Sequence, residues 1–192
     1  MKRKAASSGP TQTIEHLLYR KPGYKIRRLQ QMAVSIFLEE TEDFDITPVQ
    51  YATLAAVSVF PGIDQLRVAN AIGFDRTTIS GVIDRLESKR LLVRQSSGGD
   101  RRSKTLFATP DGIRLLSNIE GATSRVQDRI LEPLSSSERK LFLDCLGRLI
   151  GSHNESTRVP TRMASVPTAR VPQSKRVAGQ VRQSQRREDR RA

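Results

Sequence analysis

The stretch IDQLRVANAIGFDRTTISGVIDRLESKR, residues Ile63–Arg90, sets the reading of the whole chain. Its first half places apolar side chains at Ile63, Leu66, Val68 and Ala69, closed by Ile72, as a short helix does. Gly73 follows where a helix C-terminus takes a left-handed residue, and Phe74 can pack in the turn. Asp75 stands where an N-cap belongs. The second half repeats apolar residues at Ile79, Val82, Ile83 and Leu86, again at helical spacing. Its other face shows Arg76, Thr77, Thr78, Ser80 and Gly81. Two amphipathic helices joined by a tight turn are predicted. The second has a short, polar face that is basic at its start, which suits entry into a DNA major groove.

Behind this stretch, Leu91–Gln95 and Lys104–Thr109 read as two strands. Ser96–Gly99 supplies the turn, and the loop continues through Asp100, Arg101 and Arg102, giving a hairpin with a basic tip. Thr109-Pro110 then starts a helix in which Leu116, Ile119, Thr123, Val126 and Ile130 form a heptad-like seam. Glu132-Pro133 ends it, and Ser135 with Glu138 forms a capping box for a last helix. That helix gathers Leu141, Phe142, Cys145, Leu146, Leu149 and Ile150 on one face.

Ahead of the stretch, Thr47 caps a helix with Pro48 at its first position, running to about Phe60 until Pro61-Gly62 breaks it. It is nearly all small or apolar, so burial is expected. Before it, a helix over 24–40 carries an apolar stripe at Ile26, Leu29, Ala33, Ile36 and Phe37, with Arg27, Arg28, Gln30 and Gln31 off the stripe. A shorter helix over Thr13–Tyr19 is ended by Pro22-Gly23.

The fold class expected is mainly α with a small β-hairpin wing. The chain divides into a disordered basic arm (1–12), N-terminal helices of a dimerisation region (13–47), a winged helix-turn-helix lobe (48–110), C-terminal dimerisation helices (111–151) and a disordered basic tail (152–192). The formal net charge is +13, and residues 151–192 hold ten Lys/Arg against three acids, so more than half the excess lies there. The body alone is mildly basic, and the local pattern has to carry any nucleic-acid argument. No run has the length of a membrane span, and MKRKAASSGP lacks the apolar core of a signal peptide, which points to the cytoplasm. A single cysteine, Cys145, cannot form an internal disulfide. His16 and His153 lack metal-ligand spacing, and no nucleophile, metal or phosphate-loop motif occurs. The expectation is a non-enzyme with no cofactor and no metal.

A helix-turn-helix followed at once by a basic hairpin is the winged arrangement. The span from about Pro22 to Ile150 resembles the MarR family of dimeric bacterial transcription regulators. The resemblance is carried by ITPVQYATL, by DRTTISGVIDRLESKRLLVR and by GDRRSKTLFATPDG, of which the Asp-Arg-Arg of the wing is the most specific. PGYKIRRLQQ is similar to a subgroup in which many members control genes of aromatic-acid breakdown. The resemblance implies that Arg76, Thr77, Thr78 and Ser80 reach bases and phosphates, and that Gly81 lets the helix approach closely. It implies that Arg101 and Arg102 enter the minor groove, that Ser103 and Lys104 bind backbone, and that Asp100 holds an arginine such as Arg85. The DNA would be a pseudo-palindromic operator read by a homodimer.

The same resemblance implies a ligand cleft between the dimer helices and the DNA-binding lobe. Arg27 or Arg28 would grip a carboxylate, Gln30, Gln31 and Tyr51 would add hydrogen bonds, and Phe44 would form an apolar wall. The effector would be an aromatic carboxylate or its coenzyme A thioester. Surface charge, paired with Glu39 and Glu40 of another turn or chain, is the plainer reading of the two arginines. Cys145, on an apolar face, reads as a small buried hydrophobe rather than a redox sensor. The competing function is an architectural nucleic-acid-binding protein, driven by the basic tail and indifferent to sequence.

Overall fold

The computed structural model describes residues 14–97, 100–157 and 160–161, and the side chains at 16, 97 and 100–103 lie outside that description. The basic arm, residues 1–12, and most of the tail fall outside it too, as does the side chain of His16.

A π-helical segment, Glu15–Tyr19, leads into α1, Pro22–Glu40. Pro22-Gly23 therefore opens the long helix instead of ending the short one. A proline at the first helical position gives up only an N–H that would have had no partner there. Helix α2, Pro48–Val59, is capped by Thr47 and Gln50 in a reciprocal box, and it buries Gln50, Thr53, Leu54 and Val57. Then come β1 (Ile63–Asp64), α3 (Gln65–Ile72) and α4 (Arg76–Ser88). The wing strands are β2 (Leu92–Ser97) and β3 (Asp100–Ala108). Helices α5 (Pro110–Leu131) and α6 (Ser136–His153) come next, capped by Thr109 and by the Ser135–Glu138 box as expected.

The sheet has three strands in the order β1-β3-β2, all antiparallel. Ile63 pairs with Leu106 and belongs to a strand, not to the first helix of the motif. The helix starts two residues later, because the Asp64 carboxylate accepts from Arg67 N at 3.0 Å and caps it. Leu66, expected on the buried side of that helix, is 54% exposed, and Phe74 is 38% exposed instead of packed in the turn. The hairpin is longer than expected. Asp100 pairs with Ser97, so residues 100–102 are strand instead of loop.

The core joins the motif to the helices around it. All four apolar residues of α4, Ile79, Val82, Ile83 and Leu86, are buried beside Leu54, Val57, Val68 and Leu106. The seam of α5 departs from its expected use. Ile119 and Val126 are buried within the same chain, and α5 packs mainly along α1. The other seam residues, Leu116, Thr123 and Ile130, are only half-buried. Exposed apolar surface lies on α6, which buries none of its residues, with Leu141 and Ile150 each 64% exposed, and also along the start of the chain, where Leu17 before α1 and Ile26 and Met32 on it are 56%, 58% and 52% exposed. Cys145, expected to be buried, is exposed on this helix as well.

The boundary of the tail also moves. Helix α6 continues to His153, a 3-10 turn spans Asn154–Ser156, and Thr161 is hydrogen-bonded to Asn154. Side-chain amide bonding holds this segment, and hydropathy gives no sign of it.

Candidate nucleic-acid interface

Helix α4 is held by its ends and its buried stripe. Asp75 caps it, accepting from Thr78 N at 2.8 Å and from the Thr78 hydroxyl at 2.7 Å. Those bonds hold the Asp75 carboxyl below the ordinary carboxylate range. Gly73 makes the preceding turn at φ +71°, a conformation that side chains with a Cβ rarely adopt. Gln65 Nε2 donates to Arg76 O at 3.1 Å, tying the start of α3 to the first turn of α4. Nothing in the local pattern singled out Gln65, since the bond spans the turn.

Arg76, Thr77 and Thr78 are exposed on the first turn, while Ser80 and Gly81 are half-buried. The Thr78 hydroxyl hydrogen is engaged by Asp75, so this side chain is left mainly its lone pairs for other partners. A Cβ at Gly81 would meet nothing within 4 Å, so the helix surface there is open. Lys104 is exposed on β3, opposite Ser96. The side chains of Asp100, Arg101, Arg102 and Ser103 lie outside the described residues, and so does any Asp100–Arg85 pairing. Arg85 itself is exposed.

The wing is tied to α4 through a residue the sequence reading missed. The Arg94 guanidinium on β2 binds both Asp84 and Glu87 of α4, and Arg94 N donates to Glu87 Oε1 at 3.3 Å. Burial of this guanidinium, 19% exposed, opposes its charge. Hydrogen bonding and attraction from Asp84 and Glu87 outweigh that, and the pKa of Arg94 is raised above its ordinary value. The one available signal was an arginine in a strand otherwise made of apolar and small polar residues.

The six residues expected to line a ligand cleft are not gathered within one chain. Phe44 and Tyr51 are half-buried, and Tyr51 lies against Phe37 with ring centroids 5.9 Å apart. Arg27 and Arg28 are exposed ten and nine residues earlier on α1, roughly 15 Å along the axis from Phe37. Arg27 lies 5.2 Å from the Tyr24 ring centroid, and Arg28 donates to Gln31 at 2.9 Å. Within the chain, Glu39 and Glu40 do not pair with these two arginines. They bind Arg129 and Arg125 of α5, at 2.7–3.0 Å. A groove on α6 is lined by Cys145, Arg148, Leu149 and Ser152, none of them from the expected cleft.

The family model described as "MarR family" matches residues 44–103, from Phe44 through the motif to the wing. A regulatory protein assigned to the hcr operon of Thauera aromatica is 32% identical over 154 residues, covering 80% of this chain and 93% of that protein. The chain belongs to the MarR family. It is accordingly a transcriptional regulator of MarR type and not an enzyme. Among solved MarR-type structures, the transcriptional repressor CouR, bound to a 23-mer DNA duplex, is 29% identical, with TM-score 0.65, covering 72% of this chain and 97% of that one. Bordetella bronchiseptica BpsR, studied for the regulation of its DNA binding by 6-hydroxynicotinic acid, is 26% identical, with TM-score 0.65 and coverages of 73% and 97%. Among the described residues, no helix is long and apolar enough to cross a membrane.

Proposed function

We propose that this MarR-type regulator is a homodimeric repressor, released from a pseudo-palindromic operator by an aromatic carboxylate, and that its targets are genes of aromatic-compound breakdown or efflux. The observation that carries the DNA-reading part is the first turn of α4. Arg76, Thr77 and Thr78 stand exposed on a helix whose opposite face is fully buried. In this reading Arg76 makes the base contact, Thr77, Thr78 and Ser80 bind bases or phosphates, and Gly81 keeps the helix close to the groove floor. Arg101 and Arg102 enter the flanking minor groove, and Ser103 and Lys104 hold backbone phosphates. The bare apolar face of α6 supports dimerisation, since surface of that kind is normally covered.

For the effector, we infer that Arg27 and Arg28 supply the carboxylate anchor and that Phe44 and Tyr51 supply the apolar wall. One chain holds the two groups apart, so the pocket is completed across the dimer. BpsR, by the regulator it is described with, responds to an aromatic carboxylate, which favours that ligand class. Phe44 adjoins Asp45, whose carboxylate lies 2.8 Å from Lys89 Nζ at the end of α4. A ligand seated against Phe44 would therefore press on a loop tied to the recognition helix. Release by 100-fold needs only about 2.7 kcal/mol of preference for the wrongly spaced dimer.

The test monitors DNA binding by fluorescence anisotropy, on a duplex that the full chain has selected from a random pool. Titration with 6-hydroxynicotinate, 4-hydroxybenzoate, 4-coumarate and their coenzyme A thioesters should release the DNA for at least one compound. Arg27→Ala or Arg28→Ala should weaken that response while leaving ligand-free DNA binding in place. Release by none of these compounds, or an unaltered response in both variants, would count against this effector and anchor.

A further inference from the structure

The first turn of α4 carries a hydroxyl whose direction is set by its neighbour. The Thr78 hydroxyl donates to Asp75 Oδ2 at 2.7 Å, while Asp75 Oδ1 accepts from Thr78 N at 2.8 Å. One carboxylate thus holds both the backbone and the side chain of Thr78. A hydrogen bond to an ionised acceptor is about twice as strong as one between neutral groups. The bonds from Thr78 N and from its hydroxyl keep the Asp75 carboxyl below the ordinary range, so it stays ionised and goes on accepting. The turn itself is anchored, because Gln65 Nε2 donates to Arg76 O at 3.1 Å and Gly73 bends the chain at φ +71° just before it. Asp75 and Thr78 are both exposed.

A hydroxyl has a single proton and two lone pairs. With that proton committed to Asp75, Thr78 offers lone pairs and a methyl group to its surroundings, and no donor. The adjoining carboxylate also only accepts. Together they make an acceptor-only surface at the start of the helix. Phosphate oxygens, guanine O6 and N7 and thymine O4 are acceptors too, and acceptors facing each other repel. The major-groove groups that complement this surface are the exocyclic amines, N4 of cytosine and N6 of adenine. Every base pair has one such amine, on one strand or the other, so the surface can tell a pair from its inversion.

We propose that Thr78, its hydroxyl proton held by Asp75, is a specificity-determining residue that accepts a hydrogen bond from an adenine or cytosine amine in each half-site and makes no phosphate contact. This rests on the reading of α4 as the DNA-facing helix, and it narrows that reading. Arg76 supplies donors, Thr78 supplies an acceptor, and Asp75 is a positioning residue that sets the polarity of Thr78.

The test uses the full chain and a duplex that it selects from a random pool. Affinities are measured for that duplex, for a shuffled one, and for each single-pair inversion within one half-site. The proteins are the parent, Thr78→Val, Thr78→Ser and Asp75→Asn. Valine matches threonine in shape and lacks its oxygen, and the site is exposed, so the core is left intact. At one pair of the half-site, inversion should weaken the parent by about 5–10-fold and Thr78→Val by less than about twofold. Thr78→Ser should keep the parent's preference there. Asp75→Asn retains a good cap but frees the hydroxyl proton, so it should reduce that preference. Deleting the amine alone at this pair, with purine in place of adenine or 2-pyrimidinone in place of cytosine, should cost the parent as much as inversion and cost Thr78→Val little. If no amine deletion separates the parent from Thr78→Val, or if Thr78→Val loses equally on selected and shuffled duplexes, the proposal is overturned. A preference that survives intact in Asp75→Asn overturns the role given to Asp75. Arg76→Ala keeps the failures apart. Discrimination lost in Arg76→Ala and untouched in Thr78→Val sinks the role of Thr78 alone, whereas a pool that stays random sinks the reading of α4 and this proposal together.

Discussion

Arg94→Ala removes the tie between wing and recognition helix, and its effect can be worked from the geometry. The substitution leaves Asp84 and Glu87 without their shared cation and takes away the cation that β2 places against α4. Hydrogen bonds to charged groups are worth about 1.5–3 kcal/mol when well shielded. Here the carboxylates are 61% and 40% exposed, so solvent screening brings each pair below about 1 kcal/mol. The expected loss is therefore about 1–2 kcal/mol for the two pairs together. For a chain of this size that lowers Tm by about 3–7 °C in thermal denaturation. A helix and wing that no longer hold one spacing should also bind a selected duplex about 5–30-fold more weakly. Arg94→Lys should recover only part of both losses, because an ammonium lacks the fork that reaches two carboxylates. In a double-mutant cycle, Arg94→Ala should add little to Glu87→Gln combined with Asp84→Asn. A Tm within about 1 °C of the parent, with undiminished DNA binding, would refute the idea that this contact sets the wing.

Three further outcomes are expected from the same structure. Gly81→Ala meets no atom within 4 Å and trades glycine for the best helix former, so Tm should rise by about 1–4 °C while affinity for a selected duplex falls; binding unchanged or stronger would show that α4 does not press into the groove at this point. Gly112→Ala would set a Cβ 2.1 Å from Leu91 O in the joint between wing and α5, and chemical denaturation should show a loss of about 1–3 kcal/mol or more, with native-like stability counting against the packing described. Hydrogen bonds from Arg125 and Arg129 hold the Glu40 carboxyl below its ordinary value of 4.5, so the stabilisation is present above that pH and lost as pH falls through the depressed value. In Tm measured against pH, Glu40→Gln should be less stable than the parent at neutral pH and the gap should close in acid; a gap constant with pH would contradict this.

The parts of the fold legible in the sequence are those decided within one turn of helix. The buried stripe of α4 and the caps at Thr47, Asp75, Thr109 and Ser135 depend on neighbours three or four residues away, which the chain itself spells out. Ile63 was misread because a strand of two residues has no period of its own; its pairing with Leu106 comes from a segment more than forty residues later. The α5 seam showed that something covers it and not what, and the covering helix proved to be α1 of the same chain. Arg94 and Asn154 act through hydrogen bonds across turns, and hydropathy is blind to those. The expected ligand cleft was the least legible part, because Arg27 and Arg28 stand exposed on α1 roughly 15 Å along the axis from Phe37, the ring that lies against Tyr51.

The central claim, that exposed residues at the start of α4 read DNA sequence as half of a two-fold reader, is tested most directly by selection from a pool of random duplexes with the full chain, followed by binding of Arg76→Ala to the products. The expected result is an inverted repeat with half-sites about 10 base pairs apart, centre to centre. On it, Arg76→Ala should lose about 1–3 kcal/mol of discrimination at one position of each half-site, while binding to shuffled DNA changes far less. A pool that stays random under selection, or an Arg76→Ala loss equal on selected and shuffled duplexes, would contradict the account.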